Sequence, residues 1–136
     1  MSAGVKSASE QGVSTDAPRS HRDLKVWQIS LDLTETLYRI TAEWPNHEQF
    51  GLVSQARRAA VSVPANLAEG AGRRTPGEFM HFAGVARGSL AELETLLTVA
   101  RRLSYVEEAV YRSLLEDLFE LGRMTTGLLR TLEERR

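Results

Sequence analysis

The sequence predicts an all-α protein that folds as an antiparallel up-and-down four-helix bundle. Apolar residues recur at helical spacing in four segments, no segment alternates like a strand, and the connections between segments are short. A chain of 136 residues with 42% apolar residues is long enough for one core and too short to suggest two. We therefore expect one helical domain over residues 21–136, preceded by a disordered arm over residues 1–20 that is rich in Ser, Ala, Gly and Thr.

The first two predicted helices are separated by a turn that contains a proline. The first helix runs from about Leu24 to Glu43 and ends before Pro45, and the second runs from about Leu52 to Ala71. Pro64 lies inside the second helix, where it removes one backbone hydrogen bond, so we expect a kink rather than two separate helices. Either the hydroxyl of Ser62 bonds a freed carbonyl, or that carbonyl belongs to a polar stripe on the same helix.

Two capping patterns predict where the last two helices begin. Thr75-Pro-Gly-Glu78 has the form of a capping box with proline at the first helical position, and the third helix is expected to run from there to about Leu103. Ser104-Tyr-Val-Glu107 has the same form without the proline, and it predicts a fourth helix that reaches about Leu132.

The third helix carries small residues on one side, namely Gly84, Gly88 and Ala91. Each glycine in a helix costs about 1 kcal/mol relative to alanine, so a close backbone approach is the expected compensation. The glycine strip could face a second subunit or pack inside the bundle, and the sequence leaves both alternatives open.

Polar residues of the second helix fall on one arc, which suggests a hydrogen-bond network or a binding face. On the third helix, Glu92 interrupts an apolar seam between Ser89 and Leu96, and we expect it to be buried against this arc. A structural salt bridge is favoured over a general acid or a ligand-binding group. The candidates for this structural polar network are Arg58, Ser62, Asn66, Glu69, Ser89 and Glu92.

The formal net charge is -1, but the middle of the chain is basic. Residues 52–103 hold seven arginines and four glutamates, and the flanking segments are acidic. These arginines could neutralise phosphates of RNA or DNA, which is the leading functional interpretation. The alternative is an ordinary solvated surface, with Arg58 and Arg73 used internally against Glu69 and Glu92. Most aromatic residues lie on core seams, so stacking of bases on exposed rings is not expected. The candidates for phosphate contact are Arg57, Arg58, Arg73, Arg74, Arg87, Arg101 and Arg102.

Several classes of function are not supported by the sequence. Cysteine is absent, no apolar run has the roughly 20 residues of a membrane span, and the beginning of the chain lacks a secretory signal, so we expect a cytoplasmic protein without membrane contact. The pair of Glu-x-x-His motifs typical of di-iron bundles is reduced to one match, Glu78-x-x-His81. Because phosphate-binding and dinucleotide-binding loops are also missing, we expect no metal, no cofactor and no enzymatic activity.

Several segments together resemble the four-helix-bundle proteins encoded by intervening sequences in bacterial 23S ribosomal RNA genes. The resemblance covers about residues 21–132. The segments that carry it are Asp23-Leu-Lys-Val-Trp27, Phe50-Gly-Leu52, the run from Gln55 to Gly70, Glu78-Phe79, and Gly88-Ser-Leu-Ala-Glu-Leu-Glu94.

The resemblance implies an antiparallel four-helix bundle that assembles as a ring-shaped homopentamer. The family is also similar to the accessory variability protein of diversity-generating retroelements, which has a basic surface and binds nucleic acid. We therefore expect a non-enzymatic oligomer that binds RNA or a ribonucleoprotein, with a protein-protein adaptor or scaffold ring as the alternative.

Overall fold

The computed structural model describes residues 20–136, so the predicted disordered arm lies outside the described residues except for its last position. Within that part the chain forms four long helices and two short 3-10 turns, at His21–Asp23 and Asn46–Glu48, with no strand. The four helices are α1 (Lys25–Thr41), α2 (Leu52–Ala71), α3 (Pro76–Arg102) and α4 (Glu108–Arg135).

The helices form an antiparallel bundle around one core. Each helix packs against the next along the chain, and α4 closes the bundle against α1. The hydroxyl of Tyr105, between α3 and α4, lies 2.9 Å from a carboxylate oxygen of Glu48, between α1 and α2, so these two turns meet at one end. The predicted all-α four-helix bundle is confirmed. Every helix contributes at least one fully buried leucine to the core, including Leu37, Leu67, Leu97 and Leu121.

Glu48 connects the start of α2 to the turn between α3 and α4. One of its oxygens accepts a hydrogen bond of 3.1 Å from the backbone N–H of Leu52, and the other accepts the hydroxyl of Tyr105. Gly51 precedes α2 and has no side chain to cap it, so Glu48 satisfies an otherwise unpaired helix donor. The hydrogen bonds from Leu52 and Tyr105 lower the pKa of Glu48, and the bond to Glu48 raises the pKa of Tyr105.

The backbones of α2 and α3 approach each other closely at Gly70. A Cβ atom at this position would lie 2.7 Å from Cδ1 of Phe79 and 3.0 Å from Cβ of Phe82. The turn that follows ends at Thr75, whose hydroxyl accepts the N–H of Glu78 at 3.1 Å while the carboxylate of Glu78 accepts the N–H of Thr75 at 3.3 Å. The predicted capping box at the start of α3 is confirmed.

The turn between α3 and α4 differs from the prediction. Ser104 follows Leu103, the C-cap of α3, and has a left-handed φ of 65°. The N–H of Ser104 donates to the carbonyl of Arg101 at 3.0 Å, and the N–H of Tyr105 donates to the carbonyl of Ala100 at 2.9 Å. These two hydrogen bonds form a Schellman motif. The predicted capping box at Ser104 is wrong because this residue already satisfies the end of α3, and α4 begins at Glu108.

The helix α2 continues unbroken through Pro64, so it is one helix rather than two. Proline lacks the N–H that would bond the carbonyl four residues earlier, which is that of Ala60. The hydroxyl of Thr34 on α1 lies 3.3 Å from this carbonyl oxygen. The same hydroxyl lies 2.8 Å from the carbonyl oxygen of Ser30 in its own helix. Of the two alternatives given by the sequence, the bond from Ser62 is not formed, because the hydroxyl of Ser62 contacts Ser89 on α3. The freed carbonyl meets Thr34 on α1 instead, so it is not part of the polar arc either.

Candidate nucleic-acid interface

Four of the seven predicted phosphate-binding arginines are exposed and take part in no ion pair within residues 20–136. Arg58 donates only to the hydroxyl of Ser54, at 3.3 Å. The guanidinium groups of Arg74, Arg87 and Arg102 make no hydrogen bond or ion pair in the same part of the chain. Helical geometry places Arg87 and Arg102 within about 60° of each other around α3 and about 22 Å apart along its axis. We call these four residues the free arginines.

Arg57 is used inside the fold. Its Nε lies 2.9 Å from the hydroxyl of Thr41, and its Nη2 lies 3.1 Å from the carbonyl of Tyr38. Its guanidinium carbon also lies 4.4 Å from the centre of the Tyr38 ring. Both acceptors lie in the last turn of α1, at the negative end of its helix dipole, so this cation joins the end of α1 to α2.

Arg73 and Arg101 are also engaged within the chain. Arg73 forms an ion pair with Glu69, four residues earlier, and its guanidinium carbon lies 4.8 Å from the centre of the Phe82 ring. Arg101 pairs with Glu108 at 3.0 Å, and this hydrogen bond lowers the pKa of Glu108. The structure thus divides the predicted arginines into four that are free and three that hold neighbouring side chains.

The predicted polar network is smaller than expected. The hydroxyls of Ser62 on α2 and Ser89 on α3 lie 2.7 Å apart, and the amide of Asn66 donates to the Ser62 hydroxyl at 2.9 Å. These three side chains form the polar contact between the two helices. Arg58 and Glu69 are exposed instead: Arg58 bonds Ser54 in its own helix, and Glu69 pairs with Arg73 in the turn that follows α2.

Glu92 does not belong to this network, and the expectation that it is buried is wrong. Its side chain is exposed, and it makes no ion pair or hydrogen bond within the described residues. The apolar seam that contains Glu92 runs along the boundary between the buried and the exposed side of α3. Ser89 and Leu96, on the inner side of that boundary, are buried, whereas Val85 and Val99, on the outer side, are exposed.

The outer side of α3 combines small residues with exposed apolar ones. A Cβ atom built at Gly84 or at Gly88 would meet no atom within 4 Å. Val85 and Val99 on the same helix are each exposed by 40%, and Leu103, which directly follows the helix, is exposed by 50%. Internal packing therefore does not use the glycine strip. We call this side of α3 its open apolar face, although the exposed carboxylate of Glu92 lies between Val85 and Val99 on it.

The histidines do not form a metal site within residues 20–136. No group of three or more potential ligands occurs there. His81 of the lone Glu-x-x-His motif is exposed and lies edge-on against Phe82, with ring centres 4.9 Å apart. His21 lies edge-on against Trp27 in the same way, at 4.8 Å.

The high exposure of Phe50 was not anticipated from the sequence. Phe50, in the turn before α2, is 92% exposed. It lies at the rim of an open groove between α1 and α2 that Tyr38, Arg57, Arg58 and other residues also line. The only available signal was the position of Phe50 in a turn outside every apolar seam, next to Gly51.

Comparison with known proteins agrees with this fold. Residues 22–127 match the model of the 23S rRNA-intervening sequence protein family. A protein of unknown function from the S23 ribosomal protein family of Bacteroides thetaiotaomicron has a similar structure, with a TM-score of 0.69 and 21% sequence identity over 77% of this chain and 95% of that chain. No curated protein matches the chain significantly. No helix in the described part is sufficiently long and apolar to span a bilayer.

Proposed function

The chain belongs to the 23S rRNA-intervening sequence protein family, and on this premise we propose that it is a non-enzymatic, cytoplasmic oligomer that binds structured RNA or a ribonucleoprotein. The observation that carries the proposal is the set of free arginines on α2, on α3 and in the turn between them. Exposed cations without acidic partners release counterions from a phosphate backbone when they bind it, which is the main source of affinity in sequence-independent recognition of nucleic acids.

The spacing of these cations favours a polyanion over a small anion. Arg87 and Arg102 are too far apart, at about 22 Å along α3, to hold one phosphate group together. Phosphates repeat along a nucleic-acid strand, so arginines distributed along a bundle can each meet one. The proposal therefore assigns the free arginines to positioning on the backbone rather than to reading bases.

We also propose that the protein assembles through the open apolar face of α3. Glycines in a helix lower its stability, and exposed valine and leucine beside them are suited to a contact between helices at short distance. The number of five subunits is what the family resemblance implies. Replacing Val99 with Glu is expected to lower the mass measured by light scattering and leave the helical content unchanged, whereas Phe119→Glu on α4 serves as the matched control.

The RNA proposal is tested by electrophoretic mobility of a structured ribosomal RNA fragment at low and physiological salt. The wild-type protein is expected to shift the fragment at both salts. A triple variant with alanine at Arg74, Arg87 and Arg102 is expected to lose the shift at physiological salt and keep its melting temperature and mass.

A matched triple variant removes the same charge from α4, with alanine at Arg112, Arg123 and Arg130. If the proposal holds, this control retains binding. Equal loss in both triple variants would mean that net charge alone governs the interaction and that the free arginines have no special role.

The second candidate function is a protein-protein adaptor without nucleic-acid binding. The open apolar face of α3 favours it, because Val99 and Leu103, four residues apart, are both exposed, and adjacent exposed apolar side chains are typical of protein contacts. Absence of any shift at either salt, with an intact oligomer, would favour the adaptor.

A further inference from the structure

The groove between α1 and α2 has an unusual combination of exposed chemistry. Phe50 at its rim is 92% exposed, so its ring contributes almost no packing to the fold. Val61 and Tyr38, also in the groove, are exposed by 41% and 42%. Gln49, Ser54, Arg57 and Arg58 contribute polar groups to the same groove.

The charge of this groove is opposite to that of the chain as a whole. Two arginines line it and no carboxylate does, although the protein has a net charge of -1. The guanidinium of Arg57 is held against Tyr38 and the end of α1. That of Arg58 bonds only the neutral hydroxyl of Ser54, so it keeps donors for an anionic ligand.

We propose that this groove binds an unpaired nucleotide of a single-stranded RNA segment, with its base stacked on Phe50 and its phosphate on Arg58. The inference rests on the proposed RNA function and adds a class of substrate to it: a loop or a single strand rather than a duplex. An exposed ring and an available cation that line one groove are the combination by which proteins bind single strands without strong sequence preference.

The position of the phenylalanine favours a base over an acidic peptide. A peptide anchor gains affinity by filling a recessed pocket that excludes water. Here the aromatic ring of the protein itself projects into solvent and offers a flat face for stacking. The neighbouring groups, the amide of Gln49 and the hydroxyl of Ser54, are neutral hydrogen-bonding groups that suit a base edge or a ribose.

The test measures fluorescence anisotropy of a labelled oligouridylate of about twelve nucleotides, which is long enough to cover one or two such binding modules. Phe50→Ala is expected to weaken binding by about 5- to 150-fold, the range for loss of one stacked base. Phe50→Trp is expected to retain binding, and its indole fluorescence is expected to be quenched by the RNA. Phe119→Ala on α4 removes another exposed phenylalanine outside the groove and is expected to change nothing.

A second probe separates stacking from charge. An abasic oligomer with the same number of phosphates is expected to bind the wild type and the Phe50→Ala variant equally. Because Phe50 is nearly fully exposed, the alanine variant is expected to keep the wild-type melting temperature and light-scattering mass.

Each contrary outcome has a distinct meaning. Unchanged oligouridylate affinity in Phe50→Ala overturns the stacking role and leaves phosphate binding by the arginines in place. Failure of the wild type to bind any RNA overturns both proposals. A lower mass for Phe50→Ala would assign the ring to a contact between copies of the chain, and binding of an acidic amphipathic peptide in place of the oligouridylate would assign the groove to a protein partner; either result overturns the inference.

Discussion

Replacement of Gly70 by alanine probes the close approach of α2 and α3. The added Cβ would lie 2.7 Å from Cδ1 of Phe79, 3.0 Å from Cβ of Phe82 and 3.2 Å from the carbonyl oxygen of Phe79, all below the 3.4 Å at which ordinary contact begins. Two of these three atoms are fixed by the backbone, so the steric cost is expected near the upper end of the usual range for overpacking, about 3 kcal/mol. Alanine recovers about 1 kcal/mol of helix propensity. The variant should therefore lose about 2 kcal/mol of unfolding free energy.

The matched control is Gly122→Ala on α4, where a Cβ would meet no atom within 4 Å. This change has only the propensity gain, so it should stabilise the protein by about 1 kcal/mol. Urea denaturation followed by circular dichroism, at one protein concentration because assembly contributes to stability, measures both. A Gly70→Ala variant as stable as Gly122→Ala would refute the close packing inferred at this crossing.

Three further predictions concern single side chains. Ser104→Gly should raise the melting temperature, with a gain of about 1 kcal/mol, because glycine adopts a φ of 65° without the steric cost paid by serine; an unchanged melting temperature would contradict this. The pKa of Glu48 is lowered in the folded state, so its contribution to stability is present above the ordinary value of 4.5 and is lost as the pH falls through the lower folded pKa; Glu48→Gln should flatten this part of an acid-unfolding profile, and an unaltered profile would count against it. Arg57→Ala should destabilise the protein by about 1–2 kcal/mol because it removes two hydrogen bonds from a charged donor. Arg58→Ala, at the next residue, should change stability by less than about 0.5 kcal/mol. Thermal denaturation of the two variants measures both, and equal losses would contradict this prediction.

The helices were predictable because their signals are local. The second helix begins and ends where the sequence places it, at Leu52 and Ala71, and Thr75 caps the third as expected. The same four-residue pattern failed at Ser104, where no proline fixes the first helical position. There the end of α3 required a left-handed residue, and that need overrode the capping preference.

The candidate site was less predictable because it depends on which side of each helix its neighbours cover. Helical periodicity placed Glu92 on an apolar seam, but only the inner edge of that seam meets the rest of the bundle. Periodicity placed Arg58, and not Arg57, on the polar arc of α2 and predicted an internal role for Arg58. In the structure the rotation of about 100° between the two residues turns Arg57 toward α1 and leaves Arg58 in solvent. Phe50 lies in a turn, where no periodic signal exists to indicate exposure.

The central claim is that the free arginines bind RNA phosphates, and the salt dependence of affinity tests it most directly. The logarithm of the association constant for a single-stranded RNA should fall linearly with the logarithm of salt concentration, by about 0.7 per phosphate neutralised. We expect the slope of the variant with alanine at Arg74, Arg87 and Arg102 to be shallower than that of the wild type by about 2, while the α4 control keeps the wild-type slope. Equal slopes for all three proteins, or wild-type binding that does not depend on salt, would contradict the account.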